Sequence, residues 1–205
     1  MAVTGRPAVF LDKDGTLVED VPYSVDPSRA RLMPGSGPAL RSLAAGGYRL
    51  VVVSNQSGVA RGLFPEPALD VVERRLRELL HAEDVELDAF RYCPHLVTGS
   101  VRRYAIACDC RKPAPGLLLR ASVDLRLDLR RSWMVGDILD DVEAGRAAGC
   151  RTILVDVGSE TEWVRSPGRE PDAVVGSLAA AAAAIRAADR REAPALSAVG
   201  TEAPA

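Results

Sequence analysis

Ala8-Val9-Phe10-Leu11-Asp12-Lys13-Asp14-Gly15-Thr16 is a short apolar run that ends in two carboxylates and a glycine. Such a run predicts a buried β-strand, and the glycine predicts a turn directly after it. Side chains two residues apart on an extended chain share a face, so Asp12 and Asp14 are expected to point at one place beyond the strand end. Two adjacent anions repel each other unless a divalent cation lies between them or one carboxyl group keeps its proton. Both arrangements suit catalysis.

Two other interpretations fit parts of the same stretch. A calcium-binding loop that began at Asp12 would need Gly at its sixth position and Glu at its twelfth, where this chain has Leu17 and Tyr23. The calcium loop is therefore excluded. A surface turn with two solvated carboxylates fits these residues equally well, so the functional interpretation depends on matching residues further along the chain.

Apolar runs and amphipathic segments alternate along the rest of the chain. Strands are predicted at 8–11, 48–53, 88–92, 132–135 and 151–155, and helices at 38–46, 67–81, 115–123, 140–148 and 177–190. Short strands separated by helices predict right-handed crossovers and an α/β fold with a doubly wound parallel, Rossmann-like sheet. Ligands bind at the carboxyl ends of such strands. The polar clusters fall there: Asp12 and Asp14, Ser54 and Asn55, and Asp137.

Composition narrows the class of protein. The chain has 205 residues, 26% of them charged and 47% apolar, with a net charge of −2. We expect one domain over 1–190 and a disordered tail over 191–205, which is rich in Ala and Pro. A basic surface interleaved with aromatic residues is missing, which argues against nucleic acid as a partner. No basic-then-apolar leader is expected and no apolar stretch approaches the roughly 18 residues of a membrane span, so a soluble, cytoplasmic protein is expected. It is also predicted to be a monomer.

Three of the four cysteines and one of the two histidines lie close together, at Cys93, His95, Cys108 and Cys110. Four sulfur and nitrogen ligands in two pairs are typical of a closed, structural zinc site, which would stabilise a loop with few apolar residues. Disulfides are an alternative, although Cys108 and Cys110 are too close to pair easily and a cytoplasmic location disfavours them. Buried free thiols are a second alternative, and Cys150 is interpreted in this way.

A basic pair, Arg111 and Lys112, follows the last cysteine of this group. A metal-clamped loop would hold both at a fixed position, where Lys offers a compact charge and Arg a bidentate phosphate ligand. The alternative is a solvated basic pair, which is the commoner fate of such a dipeptide.

Taken together, these segments resemble a known family. Asp12-Lys13-Asp14-Gly15-Thr16, Ser54-Asn55, Lys112 and Gly136-Asp137 through Asp141 resemble, in order, the four motifs of the haloacid dehalogenase superfamily of phosphohydrolases. Residues 54–62, 93–95 and 108–113 are more narrowly similar to the members that act on D-glycero-D-manno-heptose 1,7-bisphosphate. Histidinol-phosphate phosphatases share a similar zinc loop but differ after the second motif, so they rank second.

The resemblance implies a Mg²⁺-dependent phosphatase that removes the 7-phosphate of the heptose bisphosphate. Asp12 would be the nucleophile and form an aspartyl phosphate, and Asp14 would act first as general acid and then as general base. Asp12, the backbone carbonyl of Asp14, and Asp137 would hold Mg²⁺. Ser54 and Lys112 would hold the phosphoryl oxygens.

The resemblance also implies contacts to a small sugar phosphate substrate. The expected substrate-binding residues are Asp20, Tyr23, Asn55, Gln56, Ser57 and Arg111, and we add Arg61 as a candidate for the distal phosphate. No large cap domain is expected, so the zinc loop and residues 18–34 would shape a shallow, open site. A function of another class also fits: a catalytically silent, zinc-stabilised module that binds phosphate.

Overall fold

The computed structural model describes residues 5–192 and contains one six-stranded sheet. The strands are β1 (Ala8–Leu11), β2 (Arg49–Asn55), β3 (Ala89–Cys93), β4 (Trp133–Gly136), β5 (Arg151–Val155) and β6 (Ala173–Val175). They lie in the order β3-β2-β1-β4-β5-β6, and every neighbouring pair is parallel. The predicted α/β fold with a doubly wound parallel sheet is therefore confirmed.

Five helices cover the two faces of the sheet. They are α1 (Ser36–Ala45), α2 (Ala68–His81), α3 (Gly116–Leu125), α4 (Leu139–Ala148) and α5 (Leu178–Glu192). Side chains alternate along β1, so that Val9 and Leu11 pack with α1, α2 and α5 while Phe10 packs with α3 and α4. Both faces of β1 are buried, as expected for a central parallel strand.

Three differences from the predicted elements matter. The predicted tail begins at 191, but Arg191 and Glu192 belong to α5, and residues 193–205 lie outside the described residues. The edge strand β6 was not predicted, because three half-exposed residues carry no clear period. Strands β2 and β3 extend further than predicted and pair as far as Asn55 with Cys93. The polar residues Ser54 and Asn55 are therefore the end of a strand rather than a loop.

The strand order places a ligand-binding crevice beside β1. The chain adds β2 and β3 on one side of β1, then crosses to the other side to form β4. Ligands of doubly wound sheets bind at such a switch point, at the carboxyl ends of the strands. Asp12 follows β1 and Asp137 follows β4, so both lie at this crevice. Residues 5–192 contain no further inserted domain. No helix in this range has the length and hydropathy that crossing a membrane requires.

Candidate active site

A buried lysine joins two carboxylates at the centre of the crevice. The Lys112 ammonium, 2% exposed, lies 2.5 Å from Asp12 Oδ1 and 2.6 Å from Asp141 Oδ1. It also donates to the Val53 carbonyl at 2.9 Å. Burial alone lowers the pKa of Lys112, but the carboxylates of Asp12 and Asp141 outweigh it and raise that pKa above its usual value. Lys112 is therefore a permanent cation beside Asp12.

Asp137 approaches the same place from β4. Thr16 Oγ1 donates to Asp137 Oδ1 at 3.2 Å. Burial and the neighbouring Asp12 carboxylate raise the pKa of Asp137 to about 6. Gly15 makes this approach possible, because a Cβ there would lie only 2.1 Å from Asp137 Oδ2, and its φ of +78° favours glycine.

Asp14 lies at the edge of this group, with its side chain about one-third exposed. Its carboxylate accepts hydrogen bonds from the Lys13 ammonium and, at 3.2 Å, from Gln56 Nε2. Burial raises the pKa of Asp14, an effect that Lys13 opposes and Asp12 reinforces. A raised pKa suits a group that starts a reaction with its proton in place.

The buried acids fit a divalent cation. Asp12, Asp137 and Asp141 each bring a carboxylate oxygen to within 4.8 Å of the others. Asp141 Oδ1 is buried with the Lys112 ammonium 2.6 Å away, and burial raises the pKa of Asp141 to about 7, although Lys112 lowers it. Carboxylate oxygens are the ligands that Mg²⁺ prefers. The sequence predicted the carboxylates of Asp12 and Asp137 and the backbone carbonyl of Asp14 as ligands. The structure adds the carboxylate of Asp141 to this group.

Asn55, the last residue of β2, is bound to the backbone of Lys112. Asn55 Nδ2 donates to the Lys112 carbonyl at 3.0 Å, and Lys112 N–H donates to Asn55 Oδ1 at 3.0 Å. The neighbouring Gln56 Nε2 donates to Ser54 Oγ at 2.8 Å. Because the Ser54 hydroxyl accepts this bond, its own hydrogen can point towards a ligand oxygen.

A cavity of about 240 Å³ opens beside Asp14. It brings together five of the seven predicted substrate-binding residues: Asp20, Tyr23, Asn55, Gln56 and Ser57. Arg61 lies at its rim, with the guanidinium 5.6 Å from the centre of the Tyr23 ring. Arg111 does not line this cavity, and its guanidinium donates to the His95 carbonyl at 3.4 Å.

The four predicted zinc ligands meet in one cluster. Their Sγ atoms lie 3.1 to 3.6 Å apart, and His95 Nδ1 lies 3.6 Å from Cys93 Sγ and 3.3 Å from Cys110 Sγ. Zinc–sulfur bonds of about 2.3 Å in a tetrahedron place sulfurs about 3.8 Å apart, so a small expansion admits the ion. All four cysteines are free thiols, and Cys150 is buried in the core as predicted.

The cysteine and histidine cluster lies next to the crevice that holds Lys112. Cys93 ends β3 and pairs with Asn55, and Cys110 precedes Lys112 by two residues. The cluster is therefore connected to Lys112 in two ways, through the pairing of Cys93 with Asn55 and through the two-residue segment after Cys110.

Asp141 is the site residue that sequence reasoning left without a role, although it lies in the fourth motif. Its position on the first turn of α4 turns its side chain inward, where it is fully buried. A Cβ on Gly136 would lie 2.2 Å from Asp141 Oδ2, so the Gly in the Gly136-Asp137 pair leaves room for Asp141. The spacing of four residues between Asp137 and Asp141 could have indicated that both carboxylates belong to the site.

Comparisons with known proteins identify the family to which the chain belongs. Residues 109–181 match the family model described as HAD-hydrolase-like. The chain is 42% identical over 144 residues to a D-glycero-beta-D-manno-heptose-1,7-bisphosphate 7-phosphatase of Rhodopseudomonas palustris, covering 70% of this chain and 80% of the relative. The enzyme of the same name from Escherichia coli K12 is 44% identical over 153 residues, which cover 74% and 80% of the two chains.

A solved structure extends the likeness to the fold. The D,D-heptose 1,7-bisphosphate phosphatase of B. bronchiseptica, complexed with magnesium and phosphate, matches with a TM-score of 0.72 and 29% identity. The match covers 89% of this chain and 99% of that one. The chain therefore belongs to the haloacid dehalogenase superfamily and is one of its phosphatases.

Proposed function

We propose that this phosphatase removes the 7-phosphate of D-glycero-D-manno-heptose 1,7-bisphosphate and depends on Mg²⁺. The observation that carries the proposal is the meeting of Asp12, Asp137, Asp141 and Lys112 at one end of a polar cavity. The similarity to relatives with that activity supports the substrate. The cysteine and histidine cluster supports a structural zinc ion beside it. A cytoplasmic monomer remains a prediction from the sequence.

Asp12 is the nucleophile in this proposal. The Lys112 ammonium holds Asp12 Oδ1, which leaves Oδ2 to attack phosphorus and form an aspartyl phosphate. Asp14 gives its proton to the departing sugar oxygen, then takes a proton from the water that hydrolyses the aspartyl phosphate. Lys112 and Ser54 bind the phosphoryl oxygens, and such contacts commonly lower the barrier by about 2 to 4 kcal/mol each.

Asp12, Asp137 and the Asp14 carbonyl would hold Mg²⁺, with Asp141 beside them. When ionised, the three clustered carboxylates of Asp12, Asp137 and Asp141 face one ammonium group, that of Lys112, which leaves an excess of two negative charges. The ion would screen the anionic nucleophile from the anionic phosphate.

The substrate cavity supports recognition of a hydroxylated ligand. Asp20, Ser57 and Gln56 line the space next to Asp14 and offer carboxylate, hydroxyl and amide groups. In this proposal Arg61, whose guanidinium lies 5.6 Å from the centre of the Tyr23 ring, would bind the distal phosphate, and Arg111, which bonds to the His95 carbonyl, would add a second guanidinium. A site open to solvent suits a small sugar phosphate, since no inserted domain among residues 5–192 has to close over it.

A phosphate-release screen tests this function. We expect one phosphate to leave each heptose 1,7-bisphosphate when Mg²⁺ is present and none to leave in EDTA. Added Mg²⁺ should restore activity, and elemental analysis checks that the zinc content has not changed. Both anomers, fructose bisphosphate and histidinol phosphate belong in the panel. Preference for histidinol phosphate would reassign the substrate, and no hydrolysis of any ester would favour the silent phosphate-binding module.

We expect Mg²⁺ binding to weaken as the pH falls. Burial raises the pKa of Asp137 to about 6 and that of Asp141 to about 7 in the metal-free protein, so protons compete with the ion. Near pH 6 the affinity should be about tenfold lower than near pH 8. Isothermal titration calorimetry in buffers of different ionisation enthalpy measures both the affinity and the protons released.

The same raised pKa values fix the sign of the stability change. The folded protein binds these protons more tightly than the unfolded chain, so the metal-free protein loses stability as the pH rises from 3.8 through about 7. Mg²⁺ should therefore raise the melting temperature more at pH 8 than at pH 5.5. An Asp141→Asn variant should show a weaker pH dependence of Mg²⁺ affinity. Equal affinities across this range, without proton release, would contradict the prediction.

A further inference from the structure

Lys112 lies in a long connection with little regular structure. Between the end of β3 at Cys93 and the start of α3 at Gly116, the chain forms turns and bends. The Lys112 ammonium must nevertheless reach Asp12 and Asp141 at 2.5 and 2.6 Å. An ordered backbone at Lys112 is therefore a requirement of the site.

The Asn55 side chain supplies that order. It offers Lys112 one acceptor and one donor, both at 3.0 Å, which is the pair of bonds that a neighbouring strand would offer. Asn55 itself is fixed because it ends β2 and pairs with Cys93 of β3. The two bonds thus fix the Lys112 backbone to the end of β2, although Lys112 lies 57 positions further along the chain.

We propose that Asn55 is a positioning residue for Lys112, and that this is its main role rather than contact with the sugar. The proposal rests on the proposed phosphatase function and deepens it. Loss of the clamp lets the Lys112 backbone shift, and the ammonium then no longer meets Asp12 and the phosphoryl oxygens together. Displacements of about 1 Å in such contacts can cost about 100-fold in rate.

The experiment compares ligands with and without a sugar. In Asn55→Ala we expect kcat to fall by roughly 10- to 100-fold for p-nitrophenyl phosphate and by the same factor for the sugar phosphate that the unaltered protein hydrolyses best, with KM little changed. Affinity for inorganic phosphate, measured by calorimetry in Mg²⁺ buffer, should fall about tenfold. This last measurement needs no turnover, so it stands even if the proposed substrate is wrong.

A matched control separates positioning from general destabilisation. Asp88 makes a comparable clamp at the opposite edge of the sheet, where its carboxylate accepts from Leu50 N–H at 2.8 Å and from Arg49 at 2.5 Å. Asp88→Ala should lower the melting temperature while kcat and phosphate affinity stay unchanged. If Asn55→Ala fails to fold, the uncharged Asn55→Ser keeps a polar side chain at the end of β2 but lacks the amide that makes the two bonds to Lys112. The same equal loss on both substrates is expected.

Two results would overturn the proposal. The first is a rise in KM confined to the sugar phosphate, with p-nitrophenyl phosphate and inorganic phosphate unaffected, which would show a sugar contact. The second is an Asn55 variant that matches the unaltered protein on every ligand.

Discussion

Asp12→Asn is expected to lower kcat by a factor on the order of 10³ or more, because an amide cannot attack phosphorus as a carboxylate does. The fold should persist, since Lys112 keeps Asp141 at 2.6 Å and the Val53 carbonyl at 2.9 Å as partners. Zinc content should stay the same, because the cysteine and histidine cluster does not include Asp12. Phosphate release, circular dichroism and elemental analysis measure the three quantities.

The control for this variant is another carboxyl-to-amide change at the same edge of the sheet. Asp156 follows β5, is exposed, and accepts a hydrogen bond from Gly158 N–H at 3.3 Å. Asp156→Asn should leave kcat unchanged. A crystal soaked with beryllofluoride and magnesium should carry the phosphoryl mimic on Asp12. Turnover of Asp12→Asn above about one-tenth of the unaltered rate, or a mimic bound elsewhere, would reject the covalent mechanism.

The second large effect is expected from the zinc cluster. Purified protein should contain about one equivalent of zinc, and Cys108→Ser should lose it. Metal binding contributes directly to folding, and a loss of about 4 kcal/mol lowers the melting temperature of a chain of this size by roughly 10 °C. We also expect kcat to fall, because Cys110 lies two residues before Lys112 and fixes that end of the loop.

Cys150→Ser is the matched control for the zinc prediction. Cys150 is buried among apolar side chains of the same core cluster but is not one of the four clustered ligands. Burial raises the pKa of its thiol to about 12. The same substitution there should cost some stability but keep the zinc equivalent and kcat. Protein that contains no zinc and is as stable as Cys108→Ser would show that the four side chains are ordinary buried groups.

The sequence predicts the fold well because the signals are local. Five strands and five helices are predicted from the spacing of apolar residues and from Gly and Pro at the boundaries. All ten are present, and their ends differ from the predicted ones by at most two residues. The edge strand β6 is not predicted from the sequence, because a strand of three residues is too short to show an alternation of apolar and polar side chains. The extension of β2 through Ser54 and Asn55 is not predicted either, since it is pairing with β3 that keeps these polar residues in the sheet.

The motifs predict which residues gather, but less well what each one touches. Asp14 was expected to share one spot with Asp12, yet its carboxylate is bound by Lys13 and Gln56 at the edge of the group. Asn55 was assigned to the sugar, and its amide is bound to the Lys112 backbone. Asp141 received no role, although it completes the set of buried carboxylates.

The sequence by itself determined the class of fold, the membership in a phosphatase superfamily, and the list of side chains at the carboxyl edge of the sheet. Each of these depends on the spacing of residues along the chain, and that spacing can be seen in the sequence itself. Only the tertiary structure decided how Lys112 is shared between Asp12 and Asp141 and how Asn55 holds it. Those contacts join residues 29 to 100 positions apart, and their distances depend on how strands and loops pack together, which no local pattern encodes.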